Sequence, residues 1–265
     1  MHTQFRFSSG RAILGIISSA LLFASIGFQA KAALFSTNYG NFAGSTVTFE
    51  NVSESSITET NALFQMPYVS VNTLGFNPQG FGAFAQFGGA DFTDGQLNLT
   101  MKSMASHHIQ QINFAEQGDF SLFGLGTANT FVDVSASFFI TVKKVDGNAI
   151  VPFTVTSSMT FAPLPSGTFN LPTYPGGGQL WSGTFNFDVN AALISHSIPF
   201  LNGATEIDVA LDNTLYAFSE PNTVAFITKK HFDGLGITVY DPAVPEPATA
   251  ALTLIGTAFV LRRRR

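Results

Sequence analysis

The chain contains no cysteine among its 265 residues. That excludes a disulfide framework, thiol nucleophiles, cysteine-ligated zinc and iron–sulfur clusters, so the body must be held by a hydrophobic core. Charge is also scarce, at 11% of residues, and tryptophan occurs once, as Trp181. Between the two ends no segment carries a sustained apolar stripe at 3.6-residue spacing with caps; only Ala191 to Ser195 suggests a turn of helix. No Gly-x-Ser-x-Gly elbow is present, and Gly176-Gly177-Gly178 is not followed by the Lys-Ser/Thr of a phosphate-binding loop. No fixed repeat of 18 to 30 residues appears, which argues against a parallel β-helix.

The few bases are unevenly placed. Seven of the twelve Lys and Arg residues lie near the ends, at Arg6, Arg11, Lys31 and Arg262 to Arg265. The segment from Ala33 to Pro247 therefore holds five bases against seventeen acids, a net charge of −12. A field of that sign repels phosphate backbones and excludes a nucleic-acid role.

The ends read as addresses. Arg6 and Arg11 precede an uncharged, mostly apolar stretch from Ala12 to Phe28, and Ala30-Lys31-Ala32 fits the small-x-small rule. This pattern predicts a signal peptide over residues 1–32, cleaved by signal peptidase to leave Ala33 first. At the other end, Val244-Pro245-Glu246-Pro247 is followed by an uncharged span from Ala248 to Leu261 and then Arg262-Arg263-Arg264-Arg265. As a helix that span would reach about 21 Å, short of a hydrocarbon core of about 30 Å, with Arg262 able to snorkel. The arginines predict a C-terminus held on the cytoplasmic side.

Motif, apolar span and basic stop, in that order, resemble the PEP-CTERM sorting tail of Gram-negative bacteria. The resemblance covers residues 242–265, less than a tenth of the chain. It implies recognition of Pro245-Glu246-Pro247 by an exosortase-type membrane protease, transient anchoring in the inner membrane by a short transmembrane helix, and delivery to the cell surface or an extracellular polysaccharide matrix.

Residues 33–241 read as β almost throughout. From Thr130 to Val145, Val132, Val134, Ala136, Phe138, Ile140 and Val142 alternate with polar residues, broken only by Phe139. A period of two is a half-buried strand. Asp146-Gly147 predicts a hairpin turn, with Val151, Phe153 and Val155 inward on the return. Similar alternation runs through Val47 and Phe49, Leu97 to Met101, Phe185 to Val189, Ile207 to Leu211 and Leu235 to Val239. About ten such strands predict an all-β body, a β-sandwich or jelly roll, with the 29 phenylalanines filling the layer between sheets. The stretch from Pro163 to Gly178, with four prolines and four glycines, is expected to be a long loop within one domain.

Sites are sparse. Adjacent His107 and His108 would point to opposite faces of a strand, a poor metal grip. Ser195-His196 is adjacency rather than a nucleophile–base arrangement. Asp91 and Asp94, before Gly95, match no established calcium loop and suggest a turn opening a strand at Gln96. No catalytic, metal or cofactor site is expected. The candidate ligand platform is Tyr174 with Trp181, flanking the glycine-rich loop, because Trp and Tyr combine a flat apolar face with a polar edge. The reading is a non-enzymatic exported protein with a structural or adhesive role in biofilm or exopolysaccharide. The alternatives are a lectin-like carbohydrate-binding module, or a matrix-glycan hydrolase needing two carboxylates about 5–10 Å apart.

Overall fold

The computed structural model describes residues 32–230 and 235–240. In chain order these form β1 (Phe35–Ala43), β2 (Val47–Ser56), β3 (Tyr68–Ser70), β4 (Thr73–Phe76), β5 (Gly82–Gln86), β6 (Ala90–Ser103), β7 (Gln111–Gly124), β8 (Phe131–Val145), β9 (Asn148–Ser158), β10 (Thr160–Ala162), β11 (Thr168–Asn170), β12 (Gly176–Asp188), α1 (Val189–Ser195), β13 (Ala204–Phe218), β14 (Thr223–Lys229) and β15 (Leu235–Tyr240). The signal segment up to Lys31, the Val244–Pro247 motif, the following apolar span and Arg262 to Arg265 lie outside the described residues, as do Ala30 and His231. Among the described residues no helix is long and apolar enough to cross a membrane.

All strand pairs are antiparallel and fall into two sheets. The first runs β1-β2-β6-β13-β8-β11, with β9 also on β8; the second runs β10-β12-β7-β15-β4-β3, with β14 between β7 and β5. One edge of β7 is shared end to end, Gln111 to Glu116 pairing with β15 and Gly118 to Gly124 with β14. Strands from before and after the Pro163–Gly178 segment are interleaved in both sheets. That segment is not wholly loop. It leaves the second sheet after β10, contributes β11 to the first, and returns as β12.

The alternating residues face inward as their period requires: Val132, Val134, Ala136, Phe138, Ile140 and Val142 of β8 are all buried, and Phe139 is exposed on the outer face. Aromatic contacts join the sheets face to face. Phe114 of β7 meets Phe138 of β8 at 4.4 Å between ring centroids, and Phe120 of β7 stacks on Phe169 of β11 at the same distance. Aromatic pairs of this kind add to what their buried area alone contributes.

Local features depart from simple alternation where the backbone bulges. Asp146 and Gly147, at φ 48° and 80°, form the expected two-residue turn between β8 and β9. However, a register shift opposite Val142 and Lys144 turns Val151 outward, 86% exposed, so Ile150 joins Phe153 and Val155 against the core instead. Asp91 and Asp94 do not open a strand: β6 already runs through both, and the reversal lies at Phe87-Gly88, both at positive φ. The helix α1 begins two residues earlier than expected, because Asp188 caps it by accepting from the Ala191 N–H at 2.8 Å.

Candidate functional site

The outer face of the first sheet bears the site. Cross-strand register sets its side chains in rows. Phe92 of β6 lies beside Tyr216 of β13, which lies beside Asp133 of β8 and then Thr168 of β11. The next row carries Phe218 of β13, Phe131 of β8 and Asn170 of β11. The Phe131 ring is 5.7 Å from Tyr216 and 6.1 Å from Phe218, and Phe92 is 43% exposed. Phe131, Tyr216 and Phe218 line an open hollow of about 660 Å³ together with Gly88, Asn129, Ser219, Glu220 and Pro221.

Glu220, on the lining, is tied to Thr127 and Thr130. Its carboxylate accepts from the Thr127 N–H at 2.6 Å, the Thr127 hydroxyl at 2.9 Å and the Thr130 hydroxyl at 3.0 Å. These donors, the Thr127 N–H foremost, hold its carboxyl below the usual range. Glu220 thus positions the loop before β8.

Moving away from the aromatics, the same face becomes polar. Asp94 of β6 and Asp212 of β13 are diagonal cross-strand neighbours there; burial first, then the Asp212 charge, pushes the Asp94 carboxyl up to about 6. Burial raises Asp133 as well, opposed by the hydroxyl that Thr168 donates to it. Farther along, Asn51, Ser53, Asn98, Thr100, Thr141 and Asp208 line a second hollow of about 350 Å³ together with Phe139. The face therefore grades from aromatic to hydroxyl, amide and carboxylate over one sheet.

The predicted platform is corrected. Trp181 points inward from β12 and is 2% exposed, so its indole offers no surface to a ligand. It faces Gly118 on β7, where an added Cβ would lie 2.6 Å from the indole nitrogen and 1.9 Å from the Thr228 carbonyl oxygen. Tyr174 is half-buried, edge-on to Phe120 and Phe169 at 5.7 Å each. Both residues serve packing, and the first sheet's aromatic surface lies on β6, β8 and β13.

The remaining candidates separate. His108 sits 3.9 Å from Asp146 in the connection leading to β7. Burial pushes the Asp146 carboxyl up, but the N–H groups of Leu201, Asn202 and Gly203 outweigh it and hold it below the usual range. Ser195 donates to the Ala192 carbonyl oxygen at 2.8 Å while the His196 ring stacks on Phe153 at 4.0 Å, an arrangement that finishes a helix. Ala32 and Ala33 are exposed at the start of the described chain. Among the described residues no three His, Asp or Glu side chains are grouped to hold a metal.

No protein-family model matches the chain, and no curated protein matches it significantly. Among solved structures it is similar to the enzymatically active domain of bacteriophage CBA120 tailspike protein 4, at 9% identity over 76% of this chain and a TM-score of 0.19. The chain spans 18% of that tailspike's length. It is also similar to a family 11 carbohydrate-binding module from Clostridium thermocellum, solved with a β-1,3-1,4-mixed-linked tetrasaccharide, at 11% identity, 70% of this chain, 95% of that one and a TM-score of 0.18. A structure of infectious bursal disease virus, Gx strain, aligns over 76% of this chain and 53% of its own at 11% identity and a TM-score of 0.17. Likeness at this level does not bear on what the chain binds.

Proposed function

We propose that this protein is exported, sorted through its C-terminal tail, and adheres to extracellular polysaccharide through the outer face of its first sheet. The observation that carries the binding reading is the contiguity of Phe92, Tyr216, Phe131 and Phe218 with a polar field on one open sheet face. A pyranose ring has apolar C–H faces and a rim of hydroxyls. Flat aromatic rings suit the faces, while Asn, Ser, Thr and Asp side chains suit the rim.

The test is retention of the secreted protein on matrix polysaccharides by affinity electrophoresis. Retention should be lost on Tyr216→Ala and on Phe131→Ala, and kept on Phe84→Ala, whose exposed ring is on the other sheet. Failure of the unmodified protein to bind any polysaccharide of its own matrix overturns the reading. Sorting is tested separately by the mass of the C-terminal peptide with and without the sorting protease. A tail retaining Arg265 in both cases counts against processing.

A further inference from the structure

Three polar side chains converge between the sheets, on the opposite side of the first sheet from the binding face. Glu116 points inward from β7 and Lys229 from β14, both in the second sheet; Asn213 points inward from β13, in the first. Lys229 Nζ and Asn213 Nδ2 both donate to the same oxygen, Glu116 Oε2. The Lys229 and Glu116 side chains are 0% exposed, as is Asn213. The rings of Phe81 and Trp181 lie 5.1 and 5.4 Å from the Lys229 nitrogen and wall the cluster from water. Glu116 Oε1 and Asn213 Oδ1 are buried with no hydrogen-bond partner.

A plain buried ion pair within the second sheet is an expensive way to fill this space, since desolvating both charges offsets much of their attraction. Here burial draws the lysine amine below its usual range, toward the neutral, nucleophilic form. Two nitrogens bonded to one oxygen lie within about 5–6 Å of each other, and the carboxamide carbon is one bond from the second. Confinement of reacting groups at such range replaces a slow encounter with an effectively unimolecular one.

We propose that Lys229 and Asn213 join through an intramolecular amide bond, with Glu116 as the acid–base catalyst, so that one covalent link staples the two sheets. The Lys229 ammonium first passes a proton to Glu116, leaving a free amine and a carboxylic acid. Half a turn of the Asn213 amide exchanges its nitrogen and oxygen, and the unpartnered Oδ1 then accepts from the acid. The Nζ lone pair attacks Asn213 Cγ, forming the new C–N bond as Oδ1 takes the Glu116 proton. Glu116 next removes one proton from Nζ and delivers it to Nδ2. The Cγ–Nδ2 bond breaks, the carbonyl reforms as its proton returns to Glu116, and ammonia leaves. Ammonia then carries that last proton away as ammonium, restoring the carboxylate. One lysine and one asparagine have become a secondary amide, and no oxidant or energy source is consumed.

Peptide mapping of the mature, folded protein by mass spectrometry tests this. The expected product is one branched peptide containing both Asn213 and Lys229, lighter than its two parts by one ammonia, with the backbone after Lys229 resistant to trypsin. Asn213→Asp should give the same branch with loss of water instead, a readout that packing alone does not predict. Separate linear peptides accounting for all of Asn213 and Lys229 in the unmodified protein overturn the proposal. A folded Glu116→Gln protein that still carries the branch overturns the role of Glu116.

Discussion

Asn213 and Lys229 reach one carboxylate oxygen of Glu116 from opposite sheets. The two residues are separated from Glu116 by 97 and 113 residues in sequence, so this contact ties distant parts of the chain together.

Removing one member of that cluster should be far worse than removing the pair of charges. Glu116→Ala leaves the Lys229 charge buried without its counter-ion and is expected to be about 3–5 kcal/mol less stable in urea unfolding than the double change Glu116→Leu with Lys229→Met. The double change Glu116→Leu with Lys229→Met should cost less than either single change. Neither protein can form the amide, so the difference isolates the charge.

Gly118 sits where the cluster has no room. A methyl group there meets the Thr228 carbonyl oxygen and the Trp181 indole well inside van der Waals contact. Gly118→Ala is expected to lower stability by about 1–3 kcal/mol through overpacking, with a matching drop in thermal midpoint.

The Asp94–Asp212 pair predicts a pH dependence of known sign. With the Asp94 carboxyl raised from 3.8 to about 6, this site binds more protons in the folded chain than in the unfolded one between those values, so its contribution to stability falls as pH rises through that window, opposite in sign to the contributions of Asp146 and Glu220. Asp212→Asn should flatten this slope and make the protein more stable at neutral pH. The difference in urea midpoint between the unmodified protein and Asp212→Asn, measured from below 3.8 to above 6, checks both; a difference that does not change with pH would contradict the assignment.

On the binding face, Tyr216 is the central ring, flanked by Phe92 and Phe131. Tyr216→Ala is expected to weaken polysaccharide binding at least tenfold, about 1.4 kcal/mol, as for a binding hot spot. Trp181→Ala should act differently, lowering stability by about 3–5 kcal/mol as a cavity in the core. Calorimetric titration alongside thermal unfolding separates the two effects.

Much of the body was legible in the residues. The inward set of β8, the Asp146-Gly147 turn and the all-β class follow from alternation and turn chemistry. The Trp181 platform was misplaced because composition names a useful residue without saying which way it faces. Its register with Gly118 turns it inward. The polar cluster left a faint mark: Glu116, Asn213 and Lys229 each occupy an inward position of an otherwise apolar alternation, beside Phe114, Leu211 and Ile227. Polar residues on that phase are the signal to look for.

From sequence alone came the period of two, the acidic, cysteine-free body, and the apolar and basic pattern of both ends, because each is a property of neighbouring residues. Only the tertiary structure decided which strands pair. That choice depends on contacts between distant segments, competing for the same edges, which no local pattern records. It is what gathers Phe92, Tyr216, Phe131 and Phe218 on one open face, and brings a lysine, an asparagine and a glutamate together in the dry space behind it.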